Sequence, residues 1–424
     1  MKTKLTLMAA LISSLAFNAQ AAPNEYTPIG PNISYGNNSN PNTIYSAVAN
    51  PANNAIGVSD TKGYRIGLGA NVQLDVTLKD LEGSKNYWDN NIVPYIQQND
   101  RVNLKKNTNA FLNKYNRGQA NIIAGGTVPL LIKNSFLKGG VTFDYTRQIA
   151  TQVMLINGPK PIQDILDNGH ASIKQKAAAV HLAYNQLDEF ALSYGRDLFS
   201  NDKGKLSVGV TARYLILTNN QANVDLKKIV DDNASGTKNF DKYLSDINNT
   251  SNSDSNYTAN IGINWQGENY KLSFIGLNLT EPTFKVNNQT NVASPNNTYF
   301  SSWIDPKFKL KSQYRIAGQI NTQNEHWTLG ASYDLNKAND LNNQDVQFWD
   351  IVAAYATNSA WYIPDVRLGL RGNLVGTKYN YMNAGLTFGF LNIDLSTTTL
   401  DFSGVADNQK DAGVMASVGV EFDF

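Results

Sequence analysis

The chain has 424 residues, with 36 Lys plus Arg against 35 Asp plus Glu and no cysteine. The missing cysteine excludes disulfides, thiolate metal ligands, a Cys nucleophile and a lipid-bearing cysteine together. A net charge of +1 excludes an overall field that would draw in nucleic acid, so the class of the protein has to be read from its patterning.

Lys2 and Lys4 precede an apolar run from Leu5 to Phe17, and Ala19 and Ala21 follow as a small-residue site. This predicts a secretory signal peptide over residues 1–21. A membrane-spanning helix would need about 20 apolar residues, more than this run supplies. Without Lys2 and Lys4 the 34 remaining basic residues stand against 35 acidic ones. Residues 22–63 are rich in Pro, Asn and Gly and contain Asn50, Pro51 and Ala52. Too polar to cross lipid, they are expected to hang in the periplasm or to fold into a barrel as a plug.

From residue 64 to 424 the chain reads as one β architecture with no linker and no helical span. Strands are predicted at 64–76, 119–128, 137–148, 187–197, 205–217, 257–266, 270–279, 312–321, 327–335, 347–356, 366–371, 381–388, 391–399 and 414–424. Fourteen is an even number, and the segments are close to the roughly 9 to 11 residues of a tilted membrane strand. In the last segment Val414, Ala416, Val418, Val420, Phe422 and Phe424 share one face, with Ser417, Gly419, Glu421 and Asp423 among the residues on the other. Period two means strand, and the split puts one face in oil and one in a polar interior. An ending on Phe422 and Phe424 resembles the assembly signal of bacterial outer-membrane proteins, which implies the barrel assembly machinery and outer-membrane lipid as partners. Only a closed barrel pairs every strand edge without water, so the fold class expected is an all-β outer-membrane β-barrel of about 14 antiparallel strands.

Connection lengths alternate. Those around 77–118, 149–186, 218–256 and 280–311 are long, while 129–136, 198–204, Gly267-Glu268 and 322–326 are tight, as long outer loops and short periplasmic turns require. Helical patterning is expected in two long connections: Ile162 to Leu187, and around Phe111, Leu112 and Tyr115. Predicted inward residues include Arg65, Asn71, Gln73, Asp75, Thr142, Asp144, Thr211, Arg213, Arg315, Gln319, Arg367, Arg371, Asn392, Asp394 and Glu421. Mixed signs favour charge pairs over an ion pore of one dominant sign.

The Asn50-Pro51-Ala52 element ahead of about fourteen strands resembles the FadL-like fatty-acid-transporter barrels, whose N-terminal hatch carries Asn-Pro-Ala. The chain is more similar still to the TraF-like family of plasmid conjugal transfer, at Ala49–Ala52, Phe274–Leu279 and Arg367–Gly389. The second resemblance implies an envelope component of the Gram-negative outer membrane, with conjugation or other envelope proteins as partners. The first implies a channel for hydrophobic small molecules.

Enzymatic chemistry has little to stand on. The three histidines are His170 and His181 in the supposed helical connection and His326 at a turn; solvated loop side chains account for them, and no catalytic residue is assigned. No phosphate loop or Cys/His cluster occurs, and Asp231-Asp232 lacks the turning glycine of a calcium loop. Gly125-Gly126 and Gly139-Gly140 are read as relief of crowding at bends. No cofactor and no metal are expected.

Overall fold

The computed structural model describes residues 33–35, 43–56, 63–77, 86–87, 89–98, 100–134, 136–157, 166–167, 170–171, 178–225, 246, 252–286, 306–357, 362–376, 378–398 and 412–424. The expected signal peptide lies outside them. Fourteen strands close into one antiparallel barrel: β1 (Tyr64–Thr77), β2 (Gln119–Asn134), β3 (Gly139–Asn157), β4 (Ala178–Asn201), β5 (Gly204–Asp225), β6 (Asn252–Gln266), β7 (Tyr270–Leu277), β8 (Gln313–Asn321), β9 (Trp327–Asp334), β10 (Phe348–Tyr355), β11 (Asp365–Asn373), β12 (Asn380–Phe388), β13 (Leu391–Thr398) and β14 (Ala412–Asp423). Each pairs with its neighbour in sequence, and β1 pairs with β14 to shut the ring, with Ile66 opposite Phe422. All fourteen predicted strands are present.

Alternation sets the two faces. Leu68, Val210, Leu272, Leu329, Leu368 and Leu395 point outward and are more than half exposed around the whole circumference, a surface that only lipid would accept. Ser, Thr, Asn, Asp and Arg alternate with them and are buried inside. Tight turns join the strands at one end, as between β12 and β13, where Gly389 takes φ +56°. Trp327, Tyr362, Phe390 and Phe424 gather at that end, and Phe390 stacks on Phe422 with ring centroids 5.2 Å apart. At the other end the connections range from residues 374–379 between β11 and β12 to residues 78–118 between β1 and β2.

Two expectations need correction. Strands β2 to β6 run 15 to 24 residues, well beyond a membrane crossing, so their upper parts stand as a wall outside the lipid band. For the same reason the helix expected over Ile162–Leu187 is absent where the chain is described: 178–187 is the upper half of β4, and Leu166–Asp167 pairs with His170–Ala171 as a small ribbon. On β4 Ala179, Ala183 and Leu187 face one way and Val180 and Leu182 the other, and all are buried. Burial on both faces erased the period-two signal and left a run that passes for a helix. The other helical expectation fares better: α2 (Val93–Gln97) and α3 (Arg101–Lys114) occupy the first long connection, where Ile92, Leu104, Phe111, Leu112 and Tyr115 pack with Ala178. Asp100 caps α3, accepting from Asn103 N at 3.1 Å.

Candidate functional site

The inward residues of β5 section the lumen from bottom to top: Ser207, Gly209, Thr211, Arg213, Leu215, Leu217 and Asn219, all buried. They mark three levels, a polar floor, a charged belt and an apolar mouth, and each is occupied.

The floor is filled by the chain's own N-terminal segment. Helix α1 (Ile44–Ala49) is capped by Thr43 and followed by a 3-10 turn, Pro51–Ala55, capped by Asn50, whose side chain accepts from Ala52 N at 3.0 Å. Pro51 suits the first position of that turn, where an N–H would have no partner. Asn50 Nδ2 donates to Asn264 Oδ1 at 2.8 Å, Asn264 Nδ2 donates to Asn53 Oδ1 at 2.7 Å, and Lys271 Nζ donates to the same oxygen at 2.7 Å. Thr142 donates to Asn54 Oδ1. On the opposite wall Ile44 N donates to Glu421 Oε2 at 2.8 Å and the Tyr45 hydroxyl to Val420 O at 2.9 Å. Arg65 lies at this level, fork-bonded to Asp423 and 3.8 Å from Glu421.

Above the floor runs a belt of buried arginines. Arg213 grips Glu189 with two nitrogens and donates to Asn278 Oδ1 at 2.6 Å. Arg315 Nε donates to Asp334 Oδ1 at 2.7 Å, while Asp334 Oδ2 accepts from Gln313 Nε2 and Phe348 N at 2.7 and 2.8 Å. Arg367 reaches Asp394 at 3.3 Å, and Ser34 sits between them, accepting from Arg367 Nε at 2.7 Å and donating its N–H to Asp394 Oδ1 at 3.2 Å. Arg371 lies 3.8 Å from the Phe348 ring centroid. Buried pairs hold when their remaining hydrogen-bonding positions are met. Asn278 meets one for Arg213, and Ser34 and Thr387 do so for Arg367, whereas among the described residues Arg315 Nη2 is buried without a hydrogen-bond partner.

The mouth is apolar. Leu215, Leu217, Ile123, Ala150 and Leu187 on the wall meet two ribbons folded down from the outer connections. One pairs Thr283–Lys285 with Lys307–Lys309, the other Ala338–Asn339 with Asp345–Val346. Phe284, Phe308, Leu310, Leu341, Val346 and Phe348 close over the wall residues. The first ribbon alternates, burying Phe284 and Phe308 and presenting Lys285, Lys307 and Lys309 outward. Asn219 Nδ2 ties it to the wall through Lys285 O at 2.9 Å.

Side chains of Asn71, Gln73 and Asp75 are outside the described set, as is that of His170. His181 is on β4 and buried, its Nδ1 2.8 Å from Asn223 Oδ1; burial lowers its proton affinity. His326 Nδ1 lies 2.6 Å from Ala356 O. Among the described residues no group of three or more His, Cys, Asp or Glu side chains is placed to hold a metal. Sequence reasoning did not place Lys271 or Glu189 among the inward residues. It also assigned the room at Gly140 to a barrel bend, whereas Asn54 fills that room.

A comparison with curated proteins finds no match. Among solved structures the chain is similar to the toluene transporter TodX of Pseudomonas putida (10% identity, 95% of this chain and 98% of that one, TM-score 0.45). It is also similar to a FadL homologue of Pseudomonas aeruginosa (13%, 96% and 99%, 0.40) and to the monoaromatic hydrocarbon channel CymD (8%, 94% and 98%, 0.46). The family described as F plasmid transfer operon, TraF, protein matches residues 47–334, more than half of the chain, and the chain belongs to that family.

Proposed function

We propose that this protein is exported by a cleaved leader over residues 1–21 and sits in the outer membrane of a Gram-negative cell. There it serves a plasmid-transfer envelope apparatus through its outer connections and periplasmic face, and performs no catalysis. The observation that carries this reading is the filled lumen. The N-terminal segment, the arginine belt and the two inturned ribbons occupy it from floor to mouth, which suits a barrel working by its surfaces better than a standing pore. Residues 22–63 then act as a plug, with Asn50, Pro51 and Ala52 as its anchor, and Phe422 and Phe424 act as the assembly signal. Deleting the gene from a donor carrying the plasmid is expected to abolish or strongly reduce transfer, and complementation to restore it. Unchanged transfer with the protein demonstrably absent would refute the reading.

A second reading rests on the apolar mouth. The buried cluster around Phe284, Phe308 and Leu341 is apolar, and parting the ribbons from the wall would open it to a hydrophobic small molecule. It requires saturable binding of a hydrocarbon or fatty acid that Phe308→Asp abolishes; no binding by the intact protein would remove it.

A further inference from the structure

Four glycines on four neighbouring strands stand in one hydrogen-bonded row. Gly140 of β3 is opposite Gly195 of β4, Gly195 opposite Gly209 of β5, and Gly209 opposite Gly262 of β6. At each, a Cβ would come closer than 3.0 Å to the N-terminal segment: to Asn54 O from Gly140, Pro51 O from Gly195, the Pro51 carbonyl from Gly209 and Asn50 Oδ1 from Gly262. Three of these obstacles are backbone, which cannot rotate aside. Glycine weakens a strand relative to alanine, so four abreast are a cost the wall carries only to make space. Among the described residues, the turn from Asn50 to Asn54 takes that space.

The same segment touches the seam where the ring shuts. Gly67 of β1 gives room to Ile44, whose Cγ2 would lie 2.8 Å from a Cβ there, and Ile44 and Tyr45 bond to Glu421 and Val420 of β14. Between the two attachments lies α1, tied to the turn by Asn53 Nδ2 donating to Ser46 O at 3.0 Å. A short, internally bonded piece thus spans from the β1–β14 seam to β3, β4, β5 and β6.

We infer that residues 43–55 are a closure staple: the glycine row seats the Asn50–Asn54 turn by shape, α1 carries that hold to the seam, and the segment fastens the barrel rather than swinging out as a gate. Since the chain has no native cysteine, Ser46→Cys supplies a near-isosteric reporter inside the staple. In full-length protein refolded into vesicles, the introduced thiol should resist maleimide. Adding Gly209→Ala or Gly262→Ala should bring labelling close to the rate of urea-unfolded protein and lower the temperature at which the fast-migrating folded band is lost on electrophoresis. Gly318→Ala, where a Cβ would meet the Leu272 side chain at 3.3 Å, should change neither. If a wall variant does not fold, Lys271→Met removes the bond to Asn53 without adding bulk to the glycine row and should give the same two effects more weakly. A thiol still protected in Gly209→Ala or Lys271→Met would refute the seat. Free labelling with an unchanged melting temperature would refute the staple and leave a separable plug.

Discussion

The two ends of the lumen are packed by opposite means. At the floor, backbone meets backbone across a row of glycines, and amide side chains of Asn50, Asn53 and Asn264 interlock in a single hydrogen-bonded arrangement. At the mouth, phenylalanines and leucines from two ribbons rest on an apolar wall, steadied at the rim by exposed ion pairs of Lys311 and Lys337 with Asp345. Hydrogen bonds are directional and costly to leave unmade inside a protein, whereas apolar contact is non-directional and survives a shift of position. Displacement therefore costs less at the mouth than at the floor, and the arginine belt between them keeps the two ends from sharing one core.

The largest expected effect comes from breaking the belt on the floor side. Asp394→Ala leaves the buried Arg367 charge without its carboxylate and removes the acceptor of the Ser34 N–H, and should cost about 3–5 kcal/mol in urea unfolding of the refolded barrel. A loss below about 1 kcal/mol would mean that the belt holds nothing. Phe308→Ala at the mouth should cost about 3 kcal/mol, but of ribbon docking rather than barrel stability: protease should cut the outer ribbon sooner while the barrel melts as before. If the barrel weakens equally, the two ends are one cooperative unit. Leu386→Arg belongs to neither end and, if near the bilayer midplane, should cost about 2–4 kcal/mol on the lipid face, seen as lost assembled protein. Thr387→Arg is a poor control for it, because the Thr387 hydroxyl bonds Arg367.

The smallest effect is at the rim. Asp345→Asn removes two partly exposed pairs, worth less than about 1 kcal/mol together. Hydrogen bonds from Lys311 and then Lys337 hold the Asp345 carboxyl below its usual range, and Lys309 does the same for Glu281. A lowered native value adds stability above the unfolded value and loses it as the pH falls through the native one. Ribbon proteolysis should therefore be flat from pH 7 to about 5 and rise only below about pH 4; a rise near neutrality would contradict these pairs.

Much of the barrel was legible from the sequence because alternation is a local property. Arg367, Gly369 and Arg371 are two apart, so their common face follows from one strand alone. What was not legible is what strands do to one another. Arg213 finds Glu189 on the adjacent strand and Asn278 much later in the chain, and Gly140, Gly195, Gly209 and Gly262 become a row only once three registers are fixed. The upper half of β4 was misread because it is covered on both faces. The mouth ribbon left a trace in Lys307-Phe308-Lys309-Leu310-Lys311, a strand alternation inside a supposed loop, but nothing local tells that its phenylalanine points into the barrel.

The central claim, that the lumen is closed at both ends, is tested most directly by planar-bilayer conductance of the intact refolded protein, repeated with residues 283–309 replaced by a short Gly-Ser link. Both forms should be silent, because the floor remains sealed when the mouth is opened. A steady ohmic conductance in the intact protein, or one that appears on removing the ribbon alone, would contradict it.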